Sequence, residues 1–78
     1  MKVVKYSAAW CSPCKMLQTI IDSTDFQIES VDIDEQFELA AKHNVRGVPT
    51  LIMFDDSGNE IKRNVGIMTK DQLVEWMK

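Results

Sequence analysis

A chain of 78 residues with 45% apolar side chains has the size of one small domain and enough hydrophobic material for a core, so disorder is not expected. Its formal charge of −3 comes from 12 acidic and nine basic residues scattered from Lys2 to Lys78, with no basic run to follow a phosphate backbone, which argues against nucleic acid as a partner. No window reaches the roughly 18 apolar residues of a membrane span, and "MKVVKYSAAW" lacks the long apolar stretch and cleavage site of an export signal, so the expected setting is the cytoplasm.

In chain order, "KVVKYSA" (2–8) is rich in β-formers and reads as a strand. From Ser12 to Asp22, Met16, Leu17, Ile20 and Ile21 recur at helical spacing among polar residues and predict one apolar face of a helix. "FQIESVDI" (26–33) alternates in two blocks, Phe26 with Ile28 and Val31 with Ile33, as expected of a strand with a register break at Ser30. Asp34 then reads as the N-cap of a short helix whose inward stripe is Phe37, Ala40 and Ala41 and which ends near Asn44. "TLIMF" (50–54), "DDSG" (55–58) and "NEIKRNV" (59–65) form a hairpin, with Gly58 supplying the special turn dihedral. Thr69 and Gln72 give a T-x-x-Q capping box, flanked by Met68 and Leu73 at staple positions, for a last helix burying Leu73, Trp76 and Met77.

The chain shows no repeat, linker or low-complexity tract, so residues 1–78 read as a single domain. Right-handed crossovers favour parallel pairing of the first two strands, and the hairpin adds antiparallel ones. The fold class is therefore α/β: a mixed four-stranded sheet flanked by three helices, in the order βαβαββα.

Both cysteines lie in "SAAWCSPCKM" (7–16), too few for a disulfide scaffold. With a strand ending near Ala8 and a helix opening near Ser12, Cys11 falls at the N-cap and Cys14 in the first turn. Unpaired N–H groups and the helix dipole favour a thiolate there, so Cys11 is the expected nucleophile. Pro13 costs little in the first turn and stiffens the link between the sulfurs, whose helical spacing suits a disulfide. Attack by Cys11 on a disulfide gives a mixed disulfide, which Cys14 resolves. The competing readings are two buried structural cysteines, or half of a metal site. A zinc site needs four ligands, and beyond the pair the chain offers only carboxylates and His43, read as solvated or as a complement to a helix C-terminus. An iron–sulfur or metal site shared between two copies stays as a minor alternative.

"WCSPCKM" resembles the thioredoxin signature W-C-G-P-C-K-M with Ser12 in place of glycine, and "VRGVPT" (45–50) resembles the R-G-[IV]-P-T segment of that superfamily. "VDID" (31–34) and "NVG" (64–66) are similar to thioredoxin stretches at corresponding places, so the likeness spans nearly the whole chain. It implies a thioredoxin-like fold at glutaredoxin size, a cis peptide before Pro49, and an apolar substrate rim of Trp10, Val48, Pro49 and Gly66. An extended substrate would pair with the backbone of Val48.

The resemblance further implies a thiol–disulfide oxidoreductase without cofactor, acting as a monomer on disulfide-containing proteins and recharged by thioredoxin reductase. Ribonucleotide reductase is a target at family level only. A glutathione-recharged, glutaredoxin-like enzyme is the alternative, although the T-V-P and G-G-x-x-[DE] segments of glutaredoxins are missing. A binding module on the same fold is the other. The main departure is Lys5, which stands where thioredoxins carry a buried Asp behind the resolving cysteine, with Ser30 in place of that Asp's lysine partner. Lys5 is expected either to approach the cysteines or pair with Glu29 or Asp32, or else to snorkel from an uncovered face. Lys5, Ser12 and Pro13 are thus the candidate tuners of thiol pKa.

Overall fold

Strand β1 (Lys2–Ser7) lies in the interior of a four-stranded sheet in the computed structural model, which describes residues 1–78. It pairs in parallel with β2 (Ile28–Asp32) and antiparallel with β3 (Thr50–Phe54). A hairpin from β3 adds β4 (Glu60–Val65) at the far edge. With α1 (Ser12–Asp22), α2 (Phe37–Lys42) and α3 (Lys70–Trp76), the order is the expected βαβαββα.

Strand parity divides the core in two. Val3 meets Leu17, Ile21, Leu51, Met53, Met68 and Leu73 on the face covered by α1 and α3. Val4 and Tyr6 meet Val31, Ala40, Ile52 and Phe54 on the face covered by α2. Because both faces are covered, "TLIMF" is buried at every position and shows no alternation.

Local chemistry fixes the ends of the elements. Thr69 and Gln72 form the capping box in both directions, at 3.2 and 2.9 Å. In the β3–β4 turn, Asp55 Oδ1 accepts the N–H groups of Ser57 and Asn59 at 2.9 Å each, and Gly58 has φ +88°, a region open to glycine. Arg63 fastens α2 to β4: its guanidinium donates to the carbonyls of His43 at 2.7 Å and Asn44 at 3.3 Å while pairing with Glu60 at 2.6 Å.

Several local expectations are corrected by tertiary contacts. There is no register break at Ser30, which pairs with Lys5 in a continuous ladder; Ile28 and Val31 belong to opposite faces, each with its own core. Phe26 reaches the first core from the loop before the strand. Met16 is 59% exposed, since the inward stripe of α1 runs through Cys14, Leu17 and Ile21. In α2 only Ala40 is fully buried, while Phe37 and Ala41 face solvent. Asp34 caps nothing: Asp32 Oδ1 organises the turn by accepting the Asp34 N–H at 2.8 Å, and Gln36 occupies the N-cap without a side-chain bond. His43 stands at the C-cap of α2, one of its two expected places, and is half-buried, its ring against Tyr6 and Phe54 at 6.3 and 5.0 Å between centroids.

Candidate active site

The chain leaves β1 at Ser7 and turns into α1 with Cys11 as N-cap, in extended backbone at φ −94° and ψ 105°. The Cys11 sulfur accepts the N–H of Cys14 at 3.1 Å, doing what a serine or aspartate oxygen does at an ordinary cap. No acidic residue lies in the first turn to offset the positive potential of the helix end at that sulfur. Pro13, inside this turn, has no N–H to leave unpaired. Cys11 and Cys14 are joined as a disulfide, their Cα atoms 5.2 Å apart, and both are buried while Ser12 and Pro13 between them are exposed.

Around the disulfide the fold gathers most of the expected rim. Val48 packs on the small cluster of Ala8, Cys11 and Cys14, together with Ile33. The Val48–Pro49 peptide is cis, and neither backbone group of Val48 is engaged in a hydrogen bond. The Pro49 carbonyl accepts the N–H of Gly66 at 2.8 Å, and Gly66 has φ +100°, so a glycine is required to bring β4 back to this loop. Trp10 is 68% exposed, and its indole N–H donates to Asp34 Oδ2 at 2.9 Å. Asp34 is the site residue that the sequence pattern had assigned to capping. Its partner across 24 positions leaves no local signal.

Lys5 takes neither of the expected carboxylate partners and does not reach solvent. Parity sets it on the α1 face, 5% exposed, while Glu29 points to the other face and pairs with Lys2 at 3.4 Å. Asp32 is occupied with the turn after β2. The Lys5 ammonium donates instead to Gln18 Oε1, and Gln18 donates to Asp22 Oδ1 at 2.8 Å. Burial pulls the Lys5 pKa below its usual value, and the Asp22 carboxylate offsets part of that. Lys5 therefore neither snorkels nor forms an ion pair. No cluster of three or more His, Cys, Asp or Glu side chains is placed to hold a metal ion.

The thioredoxin family model matches residues 1–78. The prophage-derived thioredoxin-like protein YosR of Bacillus subtilis is 38% identical over 78 residues, covering 100% of this chain and 96% of that protein. A thioredoxin of Pseudomonas aeruginosa is 38% identical, covering 96% of this chain and 74% of its own length. Among solved structures, a thioredoxin from Halobacterium salinarum superposes with a TM-score of 0.85 at 36% identity, covering 95% of this chain and 68% of that one. A thioredoxin from Nicotiana alata gives 0.84 at 34% identity, covering 96% and 68%. The fold is thioredoxin-like by direct superposition, and the disulfide at the head of α1 supplies the redox pair that such proteins use. The chain belongs to the thioredoxin family and is a thiol–disulfide oxidoreductase of protein disulfides.

Proposed function

We propose that Cys11 is the attacking thiolate and Cys14 the resolving thiol in the reduction of protein disulfides, within a single domain spanning residues 1–78. The observation that carries this assignment is the cap bond. Once the pair is reduced, Cys11 Sγ sits at a helix N-terminus with the Cys14 N–H as donor, an environment that stabilises sulfur as an anion. Attack by Cys11 on one sulfur of the substrate forms a mixed disulfide and expels the other as a thiolate. Cys14 then attacks Cys11, re-forming the internal disulfide and releasing the second substrate thiol.

The unengaged backbone of Val48, beside the cysteine cluster, supports docking of an extended substrate segment by main-chain pairing, with Trp10, Val48, Pro49 and Gly66 as the apolar rim. Ser12 and Pro13 tune the thiols through the first turn they build. The electron donor in this reading is a flavin-dependent thioredoxin reductase, the working form is a monomer, and the setting is the cytoplasm, where thiols are kept reduced.

A trapping experiment tests the roles. Cys14→Ser should accumulate a stable mixed disulfide with a protein substrate through Cys11, while Cys11→Ser should form none at neutral pH. Accumulation with Cys11→Ser alone would reverse the assignment.

A further inference from the structure

Lys5 is the one charged side chain in the buried interior, and no carboxylate lies within ion-pair distance of it. An ammonium in that position costs free energy unless an anion forms nearby. Its location narrows the choice of anion. Lys5 follows Val3 on the face packed beneath Leu17 and Ile21, and precedes the turn to Cys11, so it sits between the apolar core and the cysteine cluster. Its Nζ is held by Gln18, one helical turn beyond Cys14, and Cys14, Gln18 and Asp22 share a stripe of α1 at four-residue intervals. From the neighbouring strands, Ser30 of β2 and Leu51 of β3 pair with it and carry no charge. From α1 the charged group acting on it is Asp22, which is exposed and reaches it through Gln18.

We propose that Lys5 is a positioning residue for the resolving step: its ammonium, held by Gln18 one helical turn from Cys14, stabilises Cys14 as a thiolate from the buried side of α1. The inference rests on the assignment of Cys14 as resolving thiol. Cys14 loses its proton to water and its thiolate attacks Cys11 Sγ of the mixed disulfide. The Cys11–Cys14 bond forms as the bond from Cys11 to the substrate sulfur breaks, and that sulfur leaves as a thiolate that takes a proton from water. Lys5 transfers no proton in this sequence. Its charge offsets the anion that Cys14 becomes, and the anion offsets the cost of burying Lys5.

The test is the Cys14 thiol pKa in the reduced chain, read by alkylation rate or thiol NMR against pH, in wild type, Lys5→Met and Lys5→Arg. Lys5→Met should raise it by about one unit, and Lys5→Arg should bring it back towards wild type. At neutral pH a one-unit rise leaves about a tenth of the thiolate, but a more basic thiolate is intrinsically more nucleophilic. Resolution of a trapped mixed disulfide should therefore slow about three- to fourfold. An unchanged Cys14 pKa in a folded Lys5→Met chain would overturn the proposal, and Lys5→Leu serves the same purpose where the methionine variant does not fold. A wild-type chain that reduces no protein disulfide would overturn the dithiol reading as well; a wild type that turns over with an unshifted Cys14 removes only the role of Lys5.

Discussion

The indole of Trp10 is tied to Asp34 by a 2.9 Å hydrogen bond, so the residue preceding Cys11 is held by the loop that follows β2. The bond is solvent-exposed, which limits its worth to about 1 kcal/mol. Asp34→Ala should therefore shift the unfolding midpoint little. It should raise KM for a protein disulfide several-fold, because Trp10 is no longer held as part of the docking rim, while the rate with a small-molecule disulfide stays near wild type. Steady-state kinetics with both substrates, alongside indole fluorescence, distinguishes the two effects.

Gly66 offers a different test. A Cβ there meets no neighbouring atom within 4 Å, so only the backbone at φ +100° penalises a substitution. Gly66→Ala should cost about 1–2 kcal/mol in denaturant unfolding and loosen the bond from its N–H to Pro49. Activity should fall with the stability, since that bond holds the Val48 loop beside Cys11.

Oxidised protein isolates the energetics of Lys5, because the disulfide cysteines do not titrate. Burial depresses the folded-state pKa of Lys5 below the 10.5 of an unfolded lysine, so between those two values the unfolded chain binds more protons. Lys5 thus destabilises the fold fully below its folded pKa, and the penalty fades as pH rises from there towards 10.5. Oxidised Lys5→Met should be more stable than wild type at pH 7, with the gap narrowing as the solution becomes alkaline. A gap that widens would contradict this sign.

Arg63→Met should release the C-terminal carbonyls of α2. Its three hydrogen-bonded partners, His43, Asn44 and Glu60, lie on two separate elements, so the loss should appear as faster amide exchange across residues 39–45 and a cost of about 1–3 kcal/mol. Glu60, whose carboxyl Arg63 holds below the usual range, should titrate upward in the same variant.

What could be read from the chain itself divides by the reach of the interaction. The capping box of Thr69 and Gln72, the Gly58 turn and the placement of Cys11 at a helix start depend on neighbours a few positions apart, and the pattern of residues records them. The inward stripe of α2 depends on which way a six-residue helix rolls against the sheet, a choice that Phe37 and Ala41 do not reveal locally. Asp34 carries the residue type of a cap but serves Trp10. Lys5 was visible as a departure, yet its partner was not, because strand parity hides Glu29 from it and brings Gln18 over it from a separate element. The cysteine pair was legible because its C-x-x-C spacing at a helix start is itself a local pattern.

The cap of α1 is made by the atom that changes oxidation state. In the disulfide, Cys11 Sγ is a weak, neutral acceptor for the Cys14 N–H; as a thiolate it becomes a charged one, and the same bond strengthens. The amide of Cys14 is thereby a built-in gauge of electron count. Its proton resonance and exchange rate should register the redox state of the molecule without any added label.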